Sequence, residues 1–304
     1  MTRTDAIAAK PLPGHVLVTG ADGMMGTALT EELVRRGVTV TALGLDFHVP
    51  SPAQRVVVAD AGDEEAVEHA LAGAEAVVHL AAIAHPSMAP AREVFVRNTA
   101  ATFTVLDRAG AAGVGRAVVA GSINAFGVPM NRHPLSPAYY PLDEQSPVAH
   151  DDAYSLSKWT GEHIANWASS RWGIDVITLR FPLVKPAEVL REMNRQLLRD
   201  ESELRRLGRE GWSYLVLEDA IEAILLALVA PLNGSHTVLL AAETTRLPFE
   251  TRELLDRYAP DVERRSSFEG RAGLVDTSAA KALLGWSPHH TLDVPSDELS
   301  GAGS

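Results

Sequence analysis

Over the first 180 positions, short apolar runs alternate with longer segments whose apolar residues recur at helical spacing. Residues 16–18, 39–43, 56–59, 76–80, 116–120 and 175–179 read as strands. Their near-continuous Val and Ala, in place of strict alternation, predict a sheet covered on both faces. Between them lie helical patterns: the segment from Gly26 to Gly37, residues 64–71, residues 91–112 closed by Gly113, and residues 152–172 closed by Gly173. Strands and helices in strict alternation predict an α/β protein with a doubly wound parallel sheet.

After Arg180 the rhythm changes. Helical segments at 187–207, 219–230, 249–258 and 277–284 are interrupted by strand candidates at 213–216 and 236–241. This predicts a first domain over 1–180 and a smaller mixed lobe over 181–292, some of whose segments return to the first domain. The lobe is expected to close over the carboxyl ends of the strands, where open α/β sheets bind ligands. The polar, glycine-rich residues 293–304 read as a frayed tail.

The first crossover carries the most specific local pattern, HVLVTGADGMMG over residues 15–26. An apolar strand ends in three glycines, Gly20, Gly23 and Gly26, and a helix follows. Gly20 lets the chain reverse, Gly23 leaves backbone N–H groups open to a pyrophosphate, and Gly26 lets the helix sit close on the strand. The positive end of the helix then favours an anion. At the end of the second strand stands Gly44, with Asp46 two residues on as the carboxylate for ribose hydroxyls. No Arg or Lys occurs between Gly37 and Arg55 to meet a 2′-phosphate, which favours NAD over NADP. Asp60, at the end of the third strand, is placed to accept from an adenine amino group or to serve near a helix N-terminus.

Composition narrows the partners. The chain has 304 residues, is 46% hydrophobic and carries a formal charge of −12, so a phosphate-backbone partner is not expected. It has no cysteine, hence neither a disulfide framework nor a thiolate metal site. Its longest apolar run, residues 223–230, is too short to cross a bilayer. No apolar core separates Arg3 and Lys10, so no signal peptide is read and a cytoplasmic location is expected.

The candidate chemistry lies in YSLSK, residues 154–158. The spacing of four puts Tyr154 and Lys158 on one helix face. An ammonium near a phenol is expected to favour the phenolate and so lower its pKa, making it an acid/base near neutral pH. Lys158 can also hydrogen-bond ribose hydroxyls. Ser122 follows the fifth strand directly, where its hydroxyl can hold a substrate oxygen against Tyr154.

These motifs come in the order and spacing of a known family. TGADGMMG, HLAA from His79, Asn98, SINAFG from Ser122, YSLSK and LRFP from Leu179 resemble the extended short-chain dehydrogenase/reductases, the NAD-dependent epimerase/dehydratase family. YLVLEDAIEAI from Tyr214 and DTSAAKALLGWSP from Asp276 extend the resemblance over nearly the whole chain. The resemblance implies a Rossmann-type domain with a smaller substrate lobe, a homodimer, and hydride transfer at a carbinol carbon of a sugar or sugar-like substrate. It implies Ser122, Tyr154 and Lys158 as the catalytic triad and Gly20, Gly23, Met24, Met25 and Gly26 as the pyrophosphate loop. Asp60 and Ala61 then form the adenine site, and Leu80, Ala81 and Ala82 line the middle of the cofactor. Asn98 steadies the active-site end of the sheet, and Phe181, Pro182 and Leu183 form the wall beside nicotinamide.

Departures from the family pattern narrow the reaction. Family dehydratases place Asp and Glu just after the active-site Ser or Thr, whereas here Ile123 and Asn124 follow Ser122, which argues against a 4,6-dehydratase. Leu183 stands where sugar-nucleotide enzymes usually have Asn, a feature shared with the shorter, uronate-dehydrogenase-like members. A net dehydrogenase or reductase is the first reading, an epimerase with tightly held NAD the second, and a non-catalytic dinucleotide sensor the third. His85, Ser87 and Asn124 are nominated as substrate contacts. Arg180 and Lys185 could pair with a substrate carboxylate or phosphate, or Arg180 could make a structural ion pair. Asp151 and Asp152 are expected to cap the helix that carries Tyr154. Trp159, Trp167 and Trp172 are expected to pack along it, and His289 and His290 lack the spaced companions a metal needs.

Overall fold

The computed structural model describes residues 11–131, 133 and 135–292; the tail at 293–304 and the amino-terminal residues Arg3 and Lys10 lie outside them. In chain order the elements are β1 (His15–Thr19), α1 (Met24–Arg35), β2 (Thr39–Gly44), β3 (Arg55–Val58), α2 (Glu64–Leu71), β4 (Ala76–His79), α3 (Ala91–Ala111) and β5 (Arg116–Ser122). A short β6 (Tyr139–Tyr140) precedes α4 (Ala153–Trp172) and β7 (Asp175–Phe181). There follow β8 (Leu183–Lys185), α5 (Ala187–Leu197), α6 (Glu201–Gly208), β9 (Tyr214–Val216), α7 (Leu217–Val229), β10 (Ser235–Leu239), α8 (Thr251–Tyr258), β11 (Glu263–Arg264) and α9 (Ser278–Leu284).

The central sheet runs β10-β7-β5-β4-β1-β2-β3, with every neighbouring pair parallel. Alternate residues of each strand enter opposite layers. Val16, Val18, Val78 and Ile177 pack under α1, α7 and α9 through Leu29, Leu33, Ile224 and Leu284. Leu17, Val77, Val119 and Val176 pack under α2, α3 and α4 through Val67, Val105 and Ala165. A two-sided core of this kind explains why the strands read as continuous apolar runs. The exception is β3 at the sheet edge, where Val56 and Val58 are exposed.

In the second half, the strand expected at 236–241 is β10, and it extends the central sheet beside β7. The helix expected over 187–207 is two helices, because Asp200 caps a new one by accepting from the amides of Ser202 and Glu203. The strand expected at 213–216 is β9, which pairs with β8; β8 and the short pair β11 with β6 have too few residues to show periodicity. A further apolar cluster, with Phe126, Tyr140, Leu204, Trp212, Leu255 and Phe268, gathers α6 and α8 around the segments that leave β5 and β10.

Helix α4 is fixed to the sheet by a buried ion pair. Arg180 on β7 donates from Nε and Nη2 to the two carboxylate oxygens of Glu162 on α4, at 2.7 and 2.8 Å. Its guanidinium lies 4.4 Å from the centre of the Phe126 ring. Arg180 is therefore spent on structure and is not offered to a ligand. Asp152 caps the start of α4 by accepting from the Ser155 amide at 2.8 Å. Trp172, at its other end, donates to Asp107 on α3.

Removing one charge of a buried pair strands the other. Glu162→Ala is expected to lower unfolding stability by about 3–5 kcal/mol, and Glu162→Leu combined with Arg180→Met to lose less, as read by urea denaturation. Equal losses in the single and double variants would contradict a stranded guanidinium as the cause.

Candidate active site

A crevice of about 950 Å³ opens along the carboxyl edge of the sheet, from the turn after β1 past the ends of β4, β5 and β7 to α5, α6 and the loop after β10. Its floor begins at the glycine turn. Gly20 has φ +66°, and a side chain there would meet the Ala81 backbone nitrogen at 2.7 Å. A Cβ on Gly26 would lie 2.1 Å from the Gly20 carbonyl oxygen, so α1 starts hard against the strand. Gly23 precedes α1 and supplies no side-chain cap, and Met24 and Met25 of the first turn line the crevice. An uncapped helix start beside a side-chain-free cradle fits a pyrophosphate.

The end of β2 differs from expectation. The Asp22 carboxylate reaches across the turn and accepts from the amides of Leu45 and Asp46, both at 3.0 Å, through Oδ2. A Cβ on Gly44 would meet its Oδ1 at 2.5 Å. Asp22 thus fills the space that a carboxylate at position 44 would occupy, and it lines the crevice. Asp46 does not. Its side chain is 69% exposed and lies 3.5 Å from His48 Nδ1.

Farther along the wall, Asp60 accepts from the Gly62 amide at 2.8 Å and from Arg97 at 2.8 Å. The cap of α2 is Asp63. Asp60, Ala61 and Arg97 all border the crevice, as do Leu80, Ala81 and Ala82. Asn98 on α3 holds the loop after β4, accepting from the Ile83 amide and donating to the Ile83 carbonyl and Ser157 Oγ. Behind it His79 sits buried between Thr19 and Thr102, and burial pushes its pKa down to about 3, so the ring stays neutral.

The three residues nominated for chemistry meet on this wall. Ser122, the last residue of β5, accepts through Oγ from the Asn124 amide and side chain at 3.1 and 3.3 Å. The Tyr154 phenol faces it. Lys158 donates from Nζ to the Ala120 carbonyl at 2.8 Å and lies 5.9 Å from the centre of the Tyr154 ring. Burial pushes the Lys158 ammonium down to about 8, so it keeps its charge below that pH. The expected lowering of Tyr154 is not what the site shows. Burial raises the Tyr154 pKa; the bond with Ser122 lowers it and Asp152 raises it, and Lys158 is not among the groups that shift it. With its ammonium tied to Ala120, desolvation of the phenolate dominates.

Phe181, Pro182, Leu183 and Lys185 border the same crevice at the end of β7. His85 and Asn124 border it too; Ser87 does not, but its amide and hydroxyl hold His85 Nδ1 at 3.1 and 2.7 Å. The Oδ1 of Asn124 is buried without a hydrogen-bond partner among the described residues. Asp151 lies 2.6 Å from His133 Nδ1 and does not cap α4. His290 is held by the buried Asp219, and among the described residues no cluster of His, Asp and Glu could hold a metal. No helix among them is long and apolar enough to cross a membrane. Asp22, Arg97, Met130, Glu203, Arg206, Glu210 and Arg246 also border the crevice and were not nominated. Only Gly44, at a position that suits an acid, hinted at any of them.

The chain is similar to several known proteins. The chain is 29% identical over 209 residues to L-arabinose 1-dehydrogenase (NAD(P)(+)) of Haloferax volcanii, covering 65% of this chain and 76% of that one. It is 25% identical over 238 residues to uronate dehydrogenase of Pseudomonas putida, covering 76% and 77%. A short-chain dehydrogenase/reductase superfamily protein from Agrobacterium tumefaciens, solved with bound NAD, superposes with a TM-score of 0.67 at 25% identity, covering 91% and 93%. The model of the NAD dependent epimerase/dehydratase family matches residues 16–241, most of the sheet and the whole sequence of motifs along the crevice, and the chain belongs to that family.

Proposed function

We propose that the protein is an NAD-dependent oxidoreductase that moves a hydride between a carbinol carbon of a sugar-like substrate and the nicotinamide, with Tyr154 as the proton-transfer group. The observation that carries this is the meeting of Tyr154, Ser122 and Lys158 on one wall of a crevice whose other end is an uncapped helix start. Relatives named L-arabinose 1-dehydrogenase and uronate dehydrogenase support the substrate class.

The bound dinucleotide supplies the hydride-accepting ring; the chain supplies everything else. Met24 and Met25 offer amides to the pyrophosphate, while Asp60 with Ala61 borders the adenine and Leu80 to Ala82 the middle of the cofactor. Asn98 positions that stretch, and Phe181, Pro182 and Leu183 wall the nicotinamide. Asp22, with Oδ1 free of hydrogen bonds among the described residues, takes the ribose role first assigned to Asp46. Ser122 holds the substrate oxygen, and His85 and Asn124 face the substrate, with Ser87 orienting His85. Burial keeps the Tyr154 phenol protonated, which suits donation to a carbonyl oxygen; oxidation of a hydroxyl uses the phenolate. Lys158 grips the nicotinamide ribose while it stays charged.

The helices α3 and α4 leave Val96, Phe103, Leu156 and Trp167 exposed, with the Phe103 and Trp167 rings stacked at 4.7 Å. We assign that face to a second copy of the chain in a cytoplasmic homodimer; a measured mass of a single 32.5 kDa chain would remove the assignment.

Incubating the protein with NAD and a panel of aldoses and sugar acids is expected to accumulate reduced nicotinamide. Interconversion of sugars without accumulation would favour an epimerase. Tyr154→Phe is expected to cut kcat by about 10²–10⁴ while leaving NAD affinity within a few-fold; undiminished turnover would remove Tyr154 from the mechanism. Asp22→Asn is expected to narrow the preference for NAD over NADP about tenfold, roughly 1.4 kcal/mol. An unchanged ratio of kcat/KM values would show that Asp22 does not read the ribose.

A further inference from the structure

Beyond Ser122 the crevice runs on between α5, α6 and the loop after β10, where Met130, Met193, Glu203, Arg206, Glu210 and Arg246 border it. Arg246 is only 3% exposed, yet its position is set by the backbone and by one neighbour. Asn194, on α5, donates from Nδ2 to the Arg246 carbonyl and accepts from Arg246 Nε, each at 2.6 Å. The Arg246 amide donates to the carbonyl of Trp212, a residue held at φ +46°. With Nε spent, the terminal nitrogens Nη1 and Nη2 make no hydrogen bond among the described residues, and neither is sealed inside the protein.

Glu210, 5% exposed, borders the same stretch. Among the described residues its carboxylate has no hydrogen-bond partner and no cation within ion-pair distance, although both Arg206 and Arg246 act on it through space. Arg206 is already committed to Glu203, donating from Nε at 2.7 Å and also from Nη2. One buried guanidinium and one buried carboxylate therefore face a common space without touching.

We propose that this space is an anion-recognition pocket in which Arg246 receives a carboxylate of the substrate through its two free nitrogens while Glu210 donates to the bound ligand. The proposal rests on the oxidoreductase reading above and names its substrate class: a sugar or polyol that carries a carboxylate. A guanidinium fork matches a carboxylate in two parallel hydrogen bonds, and burial strengthens them. The charge balance between α6 and the loop after β10 favours a monoanion, because Glu203 already neutralises Arg206 and of these two arginines Arg246 remains. A phosphate dianion would bring a second charge toward Glu203 and Glu210.

Glu210 can donate because burial pushes its pKa up to about 7, against the lowering by Arg206 and Arg246; Glu203 adds to the rise. Tyr140 of β6 also faces it, as a neutral phenol whose hydroxyl donates to the Gly208 carbonyl. An anion on Arg246 favours the protonated form further. Binding then takes up a proton, and affinity falls as pH rises through 7, the free-state value.

The test uses sugars that differ only at C6, titrated calorimetrically into the purified protein: D-glucose, D-glucuronate and D-glucose 6-phosphate, with the galactose series as a second stereochemistry. At least one uronate is expected to bind ten or more times tighter than its hexose and its 6-phosphate at pH 6.5, and to weaken toward tenfold per pH unit between pH 7 and 8.5. Glu210→Gln, isosteric and uncharged, is expected to flatten that pH dependence. Arg246→Met is expected to abolish the carboxylate preference, with thermal melting to check that it folds. Equal binding of all three C6 forms, a preference for phosphate, or an unaltered pH dependence in Glu210→Gln would overturn the pocket. Reduced-nicotinamide formation read in parallel separates the two proposals. Turnover without carboxylate preference removes the pocket alone, and carboxylate binding without turnover removes the oxidoreductase reading alone.

Discussion

The contact on which the structure depends is the one between the Gly20 carbonyl and the α-carbon of Gly26. Nothing larger than hydrogen fits there, so α1 begins against β1 with bare amides. Because every strand of the sheet is parallel, the turns after β1, β4, β5 and β7 all open on one edge. The crevice follows from these two facts. Each later feature of the site is a side chain brought to that edge by the end of a strand or the start of a helix.

Buried polar groups then hold the edge in register. Glu162 and Arg180 lock α4 onto β7, so that Tyr154 and Lys158 keep a fixed relation to Ser122. Asn98 ties the loop after β4 to α4 through Ser157. Desolvation, which makes an unpaired charge costly in such surroundings, also sets the chemistry. It keeps Tyr154 protonated, leaves His79 neutral, and brings Lys158 and Glu210 toward neutral pH.

The central sheet was legible because strands covered on both faces must be apolar throughout, and because the glycine turn is written in consecutive residues. Local spacing also placed Tyr154 and Lys158 on one helix face. Spacing says nothing of desolvation, which reverses the direction that the Tyr154 and Lys158 pairing suggests. The reach of Asp22 to the Leu45 and Asp46 amides has no local signal for a related reason: it depends on how closely the turn after β1 approaches the end of β2, a tertiary distance. The break between α5 and α6 did have a local signal, Asp200 followed three residues on by Glu203, a pattern that starts helices. Arg246 and Glu210 lie 36 residues apart in the chain and border one cavity only because the turn after α6 and the loop after β10 converge on it.

Whether this edge seats a dinucleotide with its reactive ring before Tyr154 is decided by a crystal structure of the protein with NAD. Pyrophosphate oxygens are expected about 3 Å from the Met24 and Met25 amides, with nicotinamide C4 facing the side of the crevice that holds Tyr154 and Ser122. A dinucleotide bound elsewhere, or a nicotinamide turned away from the Tyr154 hydroxyl, would contradict it.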